Sequence, residues 1–363
     1  MRDRYFDNAS TTPLDPGVWA EMEPWLKEEW GNPSSLHSVG RRAAAAVEVA
    51  RMRLAELVDA DDPSEIVFTS GATEANNWLA GGHPQPVFSP YEHSSVEAPF
   101  RAAGGRMAEA DGWTLASPAG PTSLFSVVLV NNETGAIPDL RAWFDPDLDP
   151  GAGADRLHRD LTQAAGKMPL HDHWYDFGSF SSHKLYGPKG IGAMHLRGGS
   201  VPAPMLKGGG QEMGLRSGTL NVPAIVGFGA AAAIGLERMD EDRSLAADCR
   251  EAVLEGLKSV SDLRLNAHTQ NSPFILSVSF LGLEAQPLAE ELDAQGFQVS
   301  TGAACSSRGT EPSLLLSRLG LSDDWNRGTV RISFGRFNTR ESAERLGRCM
   351  AEAVDRLRRL GGR

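Results

Sequence analysis

Short β-branched or aromatic runs recur along the chain, each followed by a glycine-rich turn and a stretch with helical periodicity. The clearest case is EIVFTS (65–70), then Gly71, then a helix-forming segment from Thr73. Further runs at Val87–Phe88, Leu124–Val130, Phe177–Ser181 and Gly192–Leu196 repeat the pattern, as does a strand expected to end at Asp160. Strands that alternate with helices pair in parallel, because the helix carries the chain back across one face of the sheet. The expected class is therefore α/β with a largely parallel sheet, and ligands in such sheets bind at the carboxyl ends of the strands.

Before the first strand, Val47, Ala50, Leu54 and Leu57 fall at steps of three and four and predict an amphipathic helix over 39–58. Two helical stretches are expected between Val222 and Val260, and after them the pattern changes. Strands at 274–281 and 329–334, helices near 285–296 and 312–320, and a last helix with Ala343, Leu346, Met350, Ala353, Leu357 and Leu360 on one face indicate a smaller α+β unit. We expect an N-terminal segment (1–20) packed with that unit, a large ligand-binding domain (21–250) and a small C-terminal domain (251–363). The acidic Asp145–Asp155 piece reads as a solvated loop.

With 35 basic and 47 acidic residues the formal charge is −12, which argues against nucleic acid or an anionic membrane as partner. The N-terminus MRDRYFDNAS lacks an apolar core of the kind a secretory signal needs, and the longest nearly apolar stretch, Val222–Leu236, is short for a bilayer span. Three cysteines, Cys249, Cys305 and Cys349, are too few and too scattered for a disulfide framework or a cysteine-built zinc site. A reducing cytoplasm is the expected location.

Several strings could carry chemistry. In SFSSHKLYGPKG (179–190), Lys184 sits at a strand end before a turn, where burial would leave a neutral amine able to attack a carbonyl; a surface lysine beside a turn has the same local look. HRDLTQAAGK (158–167) puts Asp160 at a strand end with Gln163 three residues on. An aspartate there can hold a heteroaromatic ring nitrogen protonated, or it can cap a following helix. In SGATEANN (70–77) the amides of Ala72 and Thr73 could bind a phosphate or simply open a helix. His93 in YEHSSV could stack on a ring, shuttle protons or be a satisfied structural histidine. GGGQEMGLRSGT (208–219) suits an anion-binding loop or a connector, and the His171/His173 pair lacks further ligands at useful spacing for a metal.

Together with YFDNASTTPLDP (5–16), GNPSSLHSVGR (31–41), VNNETG (130–135), TGAACSSRGTEPS (301–313) and VRISFGRFN (330–338), these strings resemble the cysteine desulfurases, pyridoxal-phosphate enzymes of the class V aminotransferase family. The resemblance runs in order over nearly the whole chain. It implies fold type I, with a mostly parallel seven-stranded sheet in the large domain and a smaller α+β domain. It implies that Lys184 holds pyridoxal 5′-phosphate as an internal aldimine, that His93 stacks on the ring, that Asp160 pairs with the ring nitrogen and that Gln163 contacts the phenolic oxygen. Ala72, Thr73, Ser181 and His183 would hold the phosphate, with Thr219 reaching it from the second subunit of a homodimer. Asn32, Asn132 and Arg331 would grip the carboxylate of L-cysteine, and Cys305 would accept its sulfur as a persulfide. L-Alanine would be the other product, and the sulfur would pass to a protein acceptor for iron–sulfur cluster assembly or thiolation. A class V aminotransferase or a selenocysteine lyase on the same scaffold, or a non-catalytic sulfur relay, are the alternatives. The first does not need Cys305 and the last does not need Lys184 or Asp160. Cys249 and Cys349 read as packed or surface positions. The segment between His93 and Asn132 is shorter than usual in that family, and Met213 occupies a position often basic there, which bears on the partner surface.

Overall fold

A computed structural model describes residues 2–116, 122–140, 154–171, 174–199, 201–301 and 312–361. Cys305, His173 and most of Asp145–Asp155 lie outside the described residues. The strands are β1 (Ile66–Thr69), β2 (Val87–Phe88), β3 (Arg106–Met107), β4 (Ala110–Asp111), β5 (Thr114–Leu115), β6 (Phe125–Ser126), β7 (Leu157–Asp160), β8 (Phe177–Ser181), β9 (Gly192–Leu196), β10 (Leu263–Leu265), β11 (Ile275–Phe280), β12 (Ser300–Thr301) and β13 (Thr329–Ser333).

Seven strands form one sheet in the order β1-β9-β8-β7-β6-β2-β3. All run in one direction except β9, which pairs antiparallel with both β1 and β8. The carboxyl ends of β1, β2, β6, β7 and β8 consequently share one edge. β7, β8 and β9 are buried along their whole length, as expected of strands covered on both faces. The expected helix over 39–58 occupies Ser38–Val58 and packs on Val222–Glu237. The latter is Ala- and Gly-rich, so backbones approach closely: a Cβ on Gly229 would lie 2.6 Å from the Cα of Ala50. No single helix among the described residues is long and apolar enough to cross a membrane.

A second, antiparallel sheet has the order β10-β11-β13-β12 and its own apolar core, built with the helices Met239–Gly256, Ala285–Ala294 and Arg340–Leu360. The apolar face of Arg340–Leu360 ends earlier than its periodicity suggests, since Leu360 is 80% exposed. The N-terminal arm joins this sheet: Phe6 donates its N–H to the Gln298 carbonyl and accepts from the Ser333 N–H. The arm then crosses to the large sheet, where Thr12 donates its N–H to the His183 carbonyl. That crossing lays Asp7, Ala9 and Ser10 over the strand edge where the site forms.

Candidate active site

A cavity of about 350 Å³ opens at the carboxyl ends of the large sheet, between that edge, the N-terminal arm and β13. Of the residues singled out in the sequence, Ala72, Thr73, His93, Asn132, Asp160, Gln163, Ser181, His183, Lys184 and Arg331 all line it. Asn32 and Thr219 do not; both are exposed, and Asn32 is occupied in a turn, accepting from the Ser34 N–H at 2.9 Å.

Lys184 sits in the short 3-10 turn Ser182–Lys184 that follows β8. Its Nζ donates to two main-chain carbonyls of the arm, Ala9 at 2.5 Å and Ser10 at 2.7 Å. Asp160, the last residue of β7, is buried, and its carboxylate accepts from the Thr162 N–H at 2.9 Å and lies 3.5 Å from Asn76 Nδ2. The residues after it form successive turns rather than a helix, so the carboxylate caps a turn while one of its faces borders the cavity.

His93 caps the helix Ser94–Ala102. Its Nδ1 accepts from the Ser95 N–H at 3.1 Å, which leaves the ring proton on Nε2. Desolvation lowers its pKa, with Lys184 and Arg331 adding to the effect against the opposing field of Asp160, so the imidazole is held neutral. His183 is pushed down to about 4, first by desolvation and then by Lys184, Lys189 and Lys167.

The turn after β1 packs directly on β9, at a position where β9 has a glycine for a steric reason. A Cβ on Gly192 of β9 would meet the Gly71 Cα at 2.6 Å, so the two backbones touch and the start of the helix Ala72–Gly82 is drawn over the strand edge. Ala72 N–H donates to Ser181 Oγ at 2.8 Å, tying that helix start to the end of β8. A helix N-terminus at such an edge suits an anion.

Arg331, from the middle of β13, is buried and nearly fully engaged. One terminal nitrogen donates to the Asn132 carbonyl at 3.0 Å, and the other to Asp7 at 2.8 Å and Ser10 Oγ at 2.6 Å. Its Nε is buried without a partner, and so is Thr162 Oγ1. Orphaned polar atoms on two of the lining residues, one from β13 and one from the turn after β7, are what a site that takes a polar ligand presents. The volume, the helix start, the strand-end carboxylate and the lysine together fit pyridoxal phosphate. The lysine would carry the cofactor, Asp160 would face its ring nitrogen, and the start of the helix Ala72–Gly82 would face its phosphate.

The Aminotransferase class-V family pattern matches residues 4–346. The chain belongs to the class-V aminotransferase family. It is 35% identical to the cysteine desulfurase IscS 1 of Archaeoglobus fulgidus, over 98% of each protein. It is 37% identical to the cysteine desulfurase IscS of Methylobacillus flagellatus, over 98% of this chain and 93% of that protein. Among solved structures, a NifS-like protein superposes with a TM-score of 0.86 at 30% identity, covering 98% of this chain and all of the other. SspA in complex with cysteine superposes with a TM-score of 0.72 at 29% identity over 93% of this chain. The fold type I architecture and the dependence on pyridoxal phosphate expected from sequence are those of this family.

Sequence reasoning missed the residues that hold the others. Asp7, Ala9 and Ser10 act partly through main-chain carbonyls, which residue identity does not advertise. Lys167 donates to Gln163 Oε1 at 3.0 Å, and its spacing of four from Gln163 was the available signal. In the loop 208–219, Glu212 is buried against Arg51 in a two-pronged ion pair of 2.8 and 2.9 Å and accepts from the Phe68 N–H at 2.7 Å. That part of the loop is an anchor to β1. Arg216 pairs with Glu74 on the helix Ala72–Gly82. Among the described residues no cluster of metal ligands forms.

Proposed function

We infer that the chain is a cysteine desulfurase, converting L-cysteine to L-alanine and carrying the sulfur away as a persulfide on Cys305. The observation that carries this reading is one cavity holding Lys184, a strand-end aspartate, a neutral histidine and an arginine with a spare buried Nε, in a chain that also has a Cys-Ser-Ser segment.

When bound, pyridoxal phosphate supplies an electron sink for bonds broken at the substrate's α-carbon. The chain's own residues supply the rest. Arg331, held in place by Asp7, Ser10 and the Asn132 carbonyl, presents a fixed cation to the substrate carboxylate, with the Asn132 side chain beside it. Lys184 takes the proton from Cα of L-cysteine. Asp160 holds a proton at the ring nitrogen by its charge. His93, kept neutral by burial and with its Nδ1 lone pair taken up by the Ser95 N–H, borders the cavity as an uncharged ring that donates from Nε2. The Cys305 thiolate attacks the substrate sulfur: an S–S bond forms, the Cβ–S bond breaks, its electron pair stays with the carbon skeleton, and that skeleton leaves as L-alanine after protonation.

The supporting observation for a homodimer is apolar surface in the N-terminal region, where Trp30 is 81% and Leu36 is 91% exposed, together with Thr219 standing outside its own chain's cavity. A second copy could cover the first and receive the second. The persulfide would be handed to a protein acceptor, for iron–sulfur assembly or thiolation, in a reducing cytoplasm that keeps Cys305 a thiol.

The test is product balance. Holoenzyme given one equivalent of L-cysteine per Cys305 should form one equivalent of L-alanine, with the added sulfur mapped to the Cys305 peptide, and a thiol reductant should strip that sulfur as sulfide and allow a second round. Sulfur on Cys249 or Cys349 instead, or alanine formed without bound sulfur, would refute the assignment.

A further inference from the structure

Lys167 is a second lysine at this site, and none of the chemistry above uses it. It lies behind Gln163, buried, with its Nζ 3.0 Å from Gln163 Oε1 and 5.9 Å from the centre of the Phe274 ring. The charges that act on it are both cations, Lys184 and Arg331, and burial with those two brings its pKa down to about 7. Placing an amine there is costly, so its one side-chain hydrogen bond among the described residues needs a reason.

The reason is the direction of the Gln163 amide. An amide has an acceptor end and a donor end of nearly equal shape, and only its partners decide which way it points. Here the two partners agree. Lys167 donates, and in its protonated form can only donate, so it takes Oε1. The Ala9 carbonyl only accepts, and Gln163 Nε2 donates to it at 2.9 Å. Turning the amide over would set an oxygen against the Ala9 carbonyl and, with Lys167 protonated, an N–H against an ammonium, both unfavourable in a buried setting. With Oε1 and one N–H assigned, one Nε2–H remains, and Gln163 lines the cavity.

We propose that Lys167 is a positioning residue for the cofactor: it locks the Gln163 amide so that an N–H, never the oxygen, is offered to the anionic ring oxygen of the bound pyridoxal phosphate. The proposal rests on reading Gln163 as the contact to that oxygen. A donor at the oxygen stabilises its anion and so eases loss of the proton shared between it and the lysine-linked nitrogen.

The experiment is a pH titration of the bound cofactor's visible absorption, without substrate, in four holoenzymes: wild type, Lys167→Met, Gln163→Leu and the double variant. Lys167→Met should raise the midpoint by on the order of one pH unit. Gln163→Leu should raise it similarly, and the double variant should shift by clearly less than the sum. Full additivity would mean that Lys167 acts as a charge and not through Gln163, and overturns the proposal. A shift in Gln163→Leu with none in Lys167→Met overturns it too, while leaving the Gln163 contact standing; no shift in Gln163→Leu removes both. Gln163→Glu keeps an acceptor for Lys167 and has no N–H to offer, so it should also titrate high even if Lys167→Met does not fold. An unshifted midpoint in Gln163→Glu counts against the proposal.

Discussion

Lys184 Nζ and Gln163 Nε2 donate to the same atom, the carbonyl oxygen of Ala9, at 2.5 and 2.9 Å. A residue of the N-terminal arm thus holds the lysine from β8 and the glutamine after β7 side by side, before any ligand arrives. Catalytic geometry of this kind is set by supporting residues as much as by the reacting ones.

The first consequence concerns where the cofactor is attached. Borohydride reduction of the holoenzyme followed by peptide mapping should label Lys184, and Lys184→Ala should carry no covalent label. Lys167 is shielded behind Gln163 and Lys189 is exposed outside the cavity, so label on either would contradict the site.

Arg331 offers a second test. Arg331→Lys keeps the charge and loses the fork, leaving the Asn132 carbonyl, Asp7 and Ser10 with one donor group to share. Loss of a charge-assisted bond of this type corresponds to roughly a tenfold to hundredfold rise in KM for L-cysteine. The bound cofactor's absorption should stay unchanged. Asp7→Asn, which only loosens the arginine, should give a smaller rise. A fall in kcat at constant KM would assign Arg331 to something other than the carboxylate.

Much of this site was legible because its residues fall at strand ends inside distinctive strings. Asp160 closes β7, Lys184 follows β8 and Ala72 follows the glycine after β1, so strand periodicity and glycine placement located all three. What sequence did not disclose depends on contacts between distant segments. The arm's carbonyls reach Lys184 from 175 positions away, and the Arg51–Glu212 pair spans 161. Neither distance leaves a local pattern. The turns after Asp160 were open to misreading as a helix, because Leu161, Ala164 and Ala165 have helical spacing; the glycine at 166, with φ of +71°, belongs to a turn. Asn32 and Thr219 were brought in by resemblance alone, and both stand outside the cavity of their own chain.

Glu92 gives a prediction about pH. Its carboxyl is buried, with one oxygen accepting from Ser89 Oγ and the Val128 N–H and the other unpartnered among the described residues. Burial, with a further push from Asp160, raises its pKa from 4.5 to about 8. Between those values the folded chain holds a proton that the unfolded chain releases, so stability falls as pH rises through this window. Glu92→Gln keeps the accepting oxygen and never titrates. Its stability relative to wild type should therefore grow from pH 5 to pH 8, by on the order of a few kcal/mol. Urea midpoints at the two pH values measure this, and a difference that does not change with pH would show that Glu92 is ionised in the fold.

The last prediction separates the two halves of the chemistry. Lys184, Asp160 and His93 share one cavity, where the Ala9 and Ser10 carbonyls, the Thr162 N–H and the Ser95 N–H hold them. Loss of the thiol should leave that machinery intact. Cys305→Ser should retain bound cofactor and still change its absorption when L-cysteine is added, since carboxylate binding and Cα deprotonation need no thiol. Alanine and persulfide formation should nevertheless fall to near background, because a serine hydroxyl is a poor nucleophile toward sulfur and has no thiolate to offer. Cys249 is fully buried in the small core, so Cys249→Ala should lower stability modestly and leave turnover nearly unchanged. Unimpaired alanine release by Cys305→Ser would mean that sulfur leaves without a protein acceptor, which is lyase chemistry on the same scaffold.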